Sequence, residues 1–304
     1  MRIASLLPVA TEIVDMLGLT ENLVAVTHAC TYPELVALKP RITRSRLPDA
    51  VPLLDAGPAL GWQVSNQALV TIDYDALQEI RPNIILTQPI DEPSTIPYID
   101  VIEAVAMMPK PRPKVIDVHS TSVEDVLESI RTIGMATGKE LEADYVCDAL
   151  WSRIEHVRKT VATTAKTRPR TIVVEWINPL YCGGYWQHEL IRIAGGRDCP
   201  GEGVDHSTVT WHQIREFAPE VIIVAPCNCS MEQARRDMPA LEALPGYWSL
   251  PAVRHGRVFL ADGREYFNGY GPRIVKTLEL LAFLTHPNLF VDLAPSSAKA
   301  MCWF

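Results

Sequence analysis

Apolar residues along the chain fall into two alternating kinds of run. Short stretches are apolar at every position, and longer ones are apolar at every third or fourth. The first kind reads as strands buried on both faces and the second as amphipathic helices. On that basis residues 3–7, 23–27, 83–88 and 115–118 are strands, and 11–17, 75–81, 101–107 and 123–134 are helices. Residues 40–66 carry several Pro and Gly with little periodicity and read as a surface excursion. The same grammar returns after residue 170. Residues 171–176 form a strand, 187–194 a helix closed by Gly195-Gly196, and 272–284 a final helix, with 286–304 a loosely packed tail. Residues 214–226 match 77–89 position by position: helix, proline, buried strand, closing proline. Residues 257–262 parallel 114–119 in the same way.

Between the two copies lies a long helical pattern. Thr137-Gly138-Lys139-Glu140 has the form of a capping box, in which two side chains satisfy the first-turn N–H groups. Leu141, Tyr145 and Ala149 then recur every four residues, and Leu150, Ile154, Val157 and Val161 continue the stripe until Arg168-Pro169. At ~1.5 Å per residue this is a rod of roughly 35 Å, long enough to span two small lobes. Strands alternating with helices make parallel sheets covered on both faces. The expectation is therefore an α/β protein of two Rossmann-like lobes joined by one long helix. Residues 1–136 form the first lobe, 137–165 the helix and 166–304 the second lobe.

Composition narrows the function. With 48% apolar and 21% charged residues among 304, the chain has an ordinary globular make-up. A net charge of −8 argues against a nucleic-acid surface, which needs clustered Lys and Arg. No run of 18 or more apolar residues is present, so no membrane insertion is expected. Met1-Arg2 leads directly into the first core strand, and seven irregularly spaced cysteines do not make a disulfide framework. These features lead to the expectation of a reduced, cytoplasmic protein.

In open parallel sheets, ligands sit beyond the carboxyl ends of the strands. That rule selects His28, Cys30 and Tyr32, then Gln88, His119, Trp176, Tyr181, Cys182, Trp186, Cys227, Cys229, Tyr266 and Phe267. The set is rich in aromatic rings and soft ligands and poor in charge, which suits a large flat ligand with a few polar handles. Each member also has a structural reading. Tryptophan and tyrosine at strand ends serve lobe packing, Cys182 and Cys199 read as small buried hydrophobes, and His28-x-Cys30 lacks a second pair at ligand spacing. Cys227-Asn228-Cys229 follows a buried strand, where structural placement stands beside metal or thiol chemistry. Glycine-rich phosphate loops and a Gly-x-Ser-x-Gly elbow are absent, and His188-Glu189 has Arg192 where a zinc-protease helix needs its second histidine. Binding fits these residues better than catalysis.

With those residues in view, the chain resembles the cobalamin-binding members of the class III, helical-backbone substrate-binding proteins of ABC importers. The likeness runs from Arg2-Ile3-Ala4-Ser5-Leu6-Leu7-Pro8 and Thr11-Glu12-Ile13 through His28-Ala29-Cys30-Thr31-Tyr32-Pro33 and Thr43-Arg44-Ser45-Arg46. It continues in Glu175-Trp176-Ile177-Asn178-Pro179-Leu180, Ala194-Gly195-Gly196, Val224-Ala225-Pro226-Cys227 and Tyr266-Phe267-Asn268. The resemblance implies a corrinoid such as cobalamin, held in a cleft between lobes that move little. Tyr32, Gln88, Trp176, Tyr181, Tyr266 and Phe267 match the cleft lining. It also implies one acidic residue per lobe facing a permease; Asp75 keeps that charge and His212 does not. The partner is then an ABC-type permease or a protein that receives the cofactor, and His28 is a candidate axial ligand to cobalt. Two alternatives stand beside this reading. One is another metal cargo, such as haem, a ferric chelate or an iron–sulfur cluster, held by His28, Cys30, Cys227 and Cys229. The other is an enzyme acting on such a cofactor through a reactive Cys227 or Cys229.

Overall fold

A computed structural model describes residues 1–45, 70–89, 96–177, 180–184, 186–199, 207–226, 229–267, 271–295 and 300–303. The expected excursion at 40–66 lies largely outside these residues, as does Cys227. The chain folds as two compact units that divide between Leu150 and Trp151.

The first unit runs β1 (Ile3–Ser5), α1 (Pro8–Met16), β2 (Leu23–Val26), β3 (Thr43–Ser45), β4 (Val70–Ile72), α2 (Tyr74–Ile80), β5 (Ile84–Thr87), α3 (Tyr98–Met107), β6 (Lys114–Asp117) and α4 (Val123–Thr137). Its main sheet has the order β2-β1-β5-β6, and every pairing in it is parallel. All four strands therefore deliver their carboxyl ends to one edge. β3 and β4 form a separate antiparallel pair. α1 begins at Pro8, three residues before the apolar periodicity starts, because proline's fixed φ suits the first helical position.

α5 (Glu140–Thr164) is a continuous helix of 25 residues, about 37 Å long. It does not start in the expected capping box. Thr137 is the last residue of α4, and its hydroxyl donates back to the carbonyls of Ile133 and Gly134 at 2.7 and 3.2 Å. Gly138 then breaks the helix in the left-handed region at φ 69°. The buried stripe also differs from expectation. Leu141 and Tyr145 are 84% and 77% exposed and Ala149 is exposed, whereas Ala143, Cys147, Leu150, Ile154, Val157 and Val161 are buried. Alanine and cysteine hold the inner positions of the first turns because α4 lies too close for anything larger.

The second unit runs β7 (Thr171–Trp176), β8 (Tyr181–Cys182), α6 (Trp186–Ile193), β9 (Ser207–Thr208), α7 (Trp211–Phe217), β10 (Val221–Val224), α8 (Met231–Glu242), α9 (Pro251–Arg254), β11 (Val258–Ala261), α10 (Gly263–Tyr266), α11 (Ile274–Thr285) and β12 (Ala300–Cys302). Its sheet has the order β12-β11-β10-β7-β8-β9. β11, β10 and β7 are parallel, and the remaining strands are antiparallel to their neighbours. The tail is better packed than expected. Phe290 is fully buried, β12 pairs with β11, and the Trp303 indole donates to Glu242 Oε1 at 2.7 Å.

The internal repeat survives as backbone. α2 and α7 are N-capped by Asp73 and Thr210, whose side chains accept from Ala76 and Gln213. Both helices end on a non-glycine residue in the left-handed region, Arg81 and Ala218, each at φ 49° and ψ 65°. Pro82 and Pro219 follow, and the buried strands β5 and β10 come next.

Gly134 offers a test of the α4–α5 contact. A methyl there would lie 2.6 Å from Ala143 Cβ and 3.0 Å from the Lys139 carbonyl oxygen. In an open helix Gly→Ala gains up to ~1 kcal/mol, but overpacking costs typically ~1–3 kcal/mol. Gly134→Ala is expected to lower the urea midpoint, with a net loss of about 1–2 kcal/mol; a raised midpoint would refute the close contact.

Candidate functional site

At the carboxyl edge of the first sheet, β2 passes into Thr27 and His28, β5 into Gln88, and β6 into Val118 and His119. Thr43, buried on β3, organises the first of these. Its hydroxyl accepts the His28 backbone N–H at 2.8 Å, lies 2.7 Å from His28 Nδ1 and lies 2.9 Å from Thr27 Oγ1. The imidazole is thereby oriented through one ring nitrogen. The Arg41 guanidinium reaches the Thr27 and Cys30 carbonyls at 2.7 and 2.5 Å and pins the loop between them. His119 is exposed and Gln88 half-buried. Tyr32 is 42% exposed, a large ring left open to solvent. Tyr98 donates to Asp117 at the end of β6, 3.3 Å away.

Cys30 sits behind this edge. It is fully buried, 3.1 Å from Thr11 Oγ1, and burial pushes its thiol up to about 11 despite that hydrogen bond.

In the second sheet the chain turns after β7 and returns as β8, which places Tyr181 opposite Trp176. Both are half-buried. Behind them Glu175 is buried and accepts from the Gln187 amide, while Trp186 is buried at the start of α6. His188 and Asp198 form a close ring–carboxylate pair. At the end of β11, Asp262 caps α10 by accepting from the N–H groups of Arg264 and Glu265 at 3.0 and 3.1 Å. This short helix carries Tyr266, half-buried, and leads to Phe267, which is buried. Burial, then the charges of Glu265 and Asp262, raise the Tyr266 phenol, so its hydroxyl remains a donor at neutral pH. Cys229 is buried, with its N–H on the Pro226 carbonyl at 3.0 Å; burial pushes its thiol up to about 11.

Each sheet edge thus presents half-buried or open rings and polar tips, with Cys30 and Cys229 set back. Among the described residues no group of three or more His, Cys, Asp or Glu side chains is arranged to hold a metal ion. Sequence reasoning missed Thr43, Arg41 and the Asp262 cap as supports. Asp262 before a short polar run was legible as an N-cap signal; the other two act across 11–16 residues of chain, with no local signature.

The family model described as "Periplasmic binding protein" matches residues 3–265. Among curated proteins, the chain is 23% identical over 296 residues to the "Uncharacterized ABC transporter substrate-binding lipoprotein YvrC" of Bacillus subtilis (strain 168), covering 96% of this chain and 82% of that protein. The periplasmic heme-binding protein RhuT from Roseiflexus sp. RS-1 superposes with a TM-score of 0.70 at 18% identity, covering 96% of this chain and 99% of that one. The periplasmic vitamin B12 binding protein BtuF of Vibrio cholerae superposes with a TM-score of 0.68 at 17% identity, covering 93% and 96%. At these identities the structural likenesses establish the α/β fold, with its parallel sheets and flanking helices.

The two set-back thiols make a prediction. With pKa values near 11, Cys30 and Cys229 stay protonated at pH 8, and the thiolate is the reactive form. Iodoacetamide at pH 8 is expected to leave both unmodified in native protein and to label both in denaturant, as read by peptide mass spectrometry. Prompt native labelling of either would show that its thiol is accessible and not set back.

Proposed function

Because the chain belongs to the periplasmic binding protein family, we propose that it binds a large, flat metal chelate, a corrinoid such as cobalamin, and delivers it to an ABC-type permease. It is a substrate-binding protein and not an enzyme, as are the family and the relatives it matches. The observation that carries the corrinoid reading is the character of the two strand-end edges. Half-buried or exposed Tyr32, Trp176, Tyr181 and Tyr266 stand at these edges, as do His28, Gln88 and His119. Rings of this kind stack on a macrocycle, and amide, phenol and imidazole groups meet its polar rim. The fold shared with a vitamin B12 binding protein supports the same class of ligand.

We assign His28 the role of axial ligand to cobalt, since neutral imidazole suits such a metal and Thr43 fixes the ring. Haem is the second reading. It is favoured by the likeness to RhuT and to BhuT, solved with two hemes at a TM-score of 0.70 and 21% identity. The same imidazole would meet iron.

Titration of the protein with hydroxocobalamin, followed by visible spectroscopy and calorimetry with haem in parallel, separates these. Saturable binding of one corrinoid per chain, with a shifted cobalt band, is the expected result. Saturation by haem alone would replace the corrinoid reading. His28→Ala is expected to abolish the spectral shift while leaving a weakened binding isotherm; an unchanged spectrum would remove His28 from the metal.

A further inference from the structure

Cys182 and Cys199 stand apart from the other described cysteines in what their sulfurs touch. Cys30 meets the Thr11 hydroxyl, while Cys147 and Cys302 donate to the carbonyls of Leu127 and Gly256. Cys182 and Cys199 are near enough for one thiol to bear on the other's protonation. Both are 4% exposed and belong to the same apolar cluster as Ile172, Val174 and Leu180.

The backbones that carry them are fixed. β8 is paired on both sides, with Cys182 opposite Val174 of β7 and Ser207 of β9. Cys199 follows α6, where its N–H donates to Asp198 Oδ1 at 2.7 Å and the other carboxylate oxygen of Asp198 holds the His188 ring. Two thiols held together in this way differ from a chance meeting of mobile side chains. Both side chains lie in one packed apolar cluster, where neighbouring groups limit how far either can move from the other.

We propose that Cys182 and Cys199 are a redox pair that closes to a disulfide on meeting a low-molecular-weight disulfide such as glutathione disulfide, tying β8 to the segment that follows α6. One cysteine loses its proton, and its thiolate attacks a sulfur of glutathione disulfide. The glutathione S–S bond breaks, a mixed disulfide forms and one glutathione leaves as thiol. The second cysteine, as thiolate, attacks the protein-side sulfur, and the second glutathione leaves. Two protein thiols are oxidised, one glutathione disulfide is reduced to two thiols, and the protons end on those thiols.

The contact with Cys199 and burial hold the Cys182 thiol well above its ordinary range. Attack therefore waits on local opening of the strand, and closure is slow in native buffer and faster in sub-denaturing urea.

The chain offers a direct reading. Trypsin cuts after Arg170, Arg192, Arg197 and Arg215, so residues 171–192 and 198–215 each carry a single cysteine of the pair. Fully reduced protein is incubated anaerobically in buffers of rising glutathione disulfide to glutathione ratio, acid-quenched, alkylated, digested and mapped without reduction. The expected result is a cross-linked 171–192/198–215 product that accumulates with the ratio. It should be absent from Cys182→Ser and Cys199→Ser, and the oxidised wild-type protein should melt several degrees higher. Recovery of both peptides alkylated, or of glutathione adducts without the cross-link, would overturn the proposal. The wild-type map alone decides, whatever the fate of the variants.

Discussion

The rest of the structure depends on keeping one stripe of α5 dry. Its buried positions, Ala143, Cys147, Leu150, Ile154, Val157 and Val161, alternate by four and three residues, which keeps them on one face of a 25-residue helix. The stripe begins small, against Gly134 of α4, and ends larger, with Val161 near Gly195 and His286. Each half serves the core of its own unit, so no insertion within the helix is neutral. One added residue would rotate everything beyond it by roughly 100° and turn the second half's apolar face to water.

The strands and most helices were legible because burial on both faces leaves an unambiguous run of Val, Ile and Leu, as in β5, β7 and β10. The errors have separate physical causes. Thr137 carries a capping-box spacing, but its hydroxyl is satisfied by the preceding turn, and Gly138 closes that turn as a left-handed C-cap, so the segment ends one helix rather than starting the next. Leu141, Tyr145 and Ala149 carry the four-residue spacing of a core stripe, but close packing against α4 selects the small residues Ala143 and Cys147, two residues further along the helix. The tail looked loose because β12 is three residues long and is a strand only by virtue of β11 beside it.

The chemistry at the strand ends was legible to the extent that a parallel sheet fixes where its loops emerge. His28, Gln88, His119 and Trp176 all lie where that rule puts them. What the rule does not give is depth. Cys30 is two residues from His28 yet fully enclosed, and Trp186 and Phe267 lie inside while Tyr181 and Tyr266 reach the surface. Depth is set by contacts such as Arg41 to the Cys30 carbonyl, which connect residues with no shared periodicity.

Arg81 and Ala218 hold the same uncommon backbone conformation ahead of a proline, one in each unit. For residues with a Cβ that geometry is intrinsically unfavourable, and neither copy has relieved it with glycine. The part the two units share is thus a backbone conformation, with different side chains around it. Each unit has a fixed entry into a buried strand and a loop beyond that strand free to differ, so the two halves can vary their ligand contacts independently on a frame that does not change.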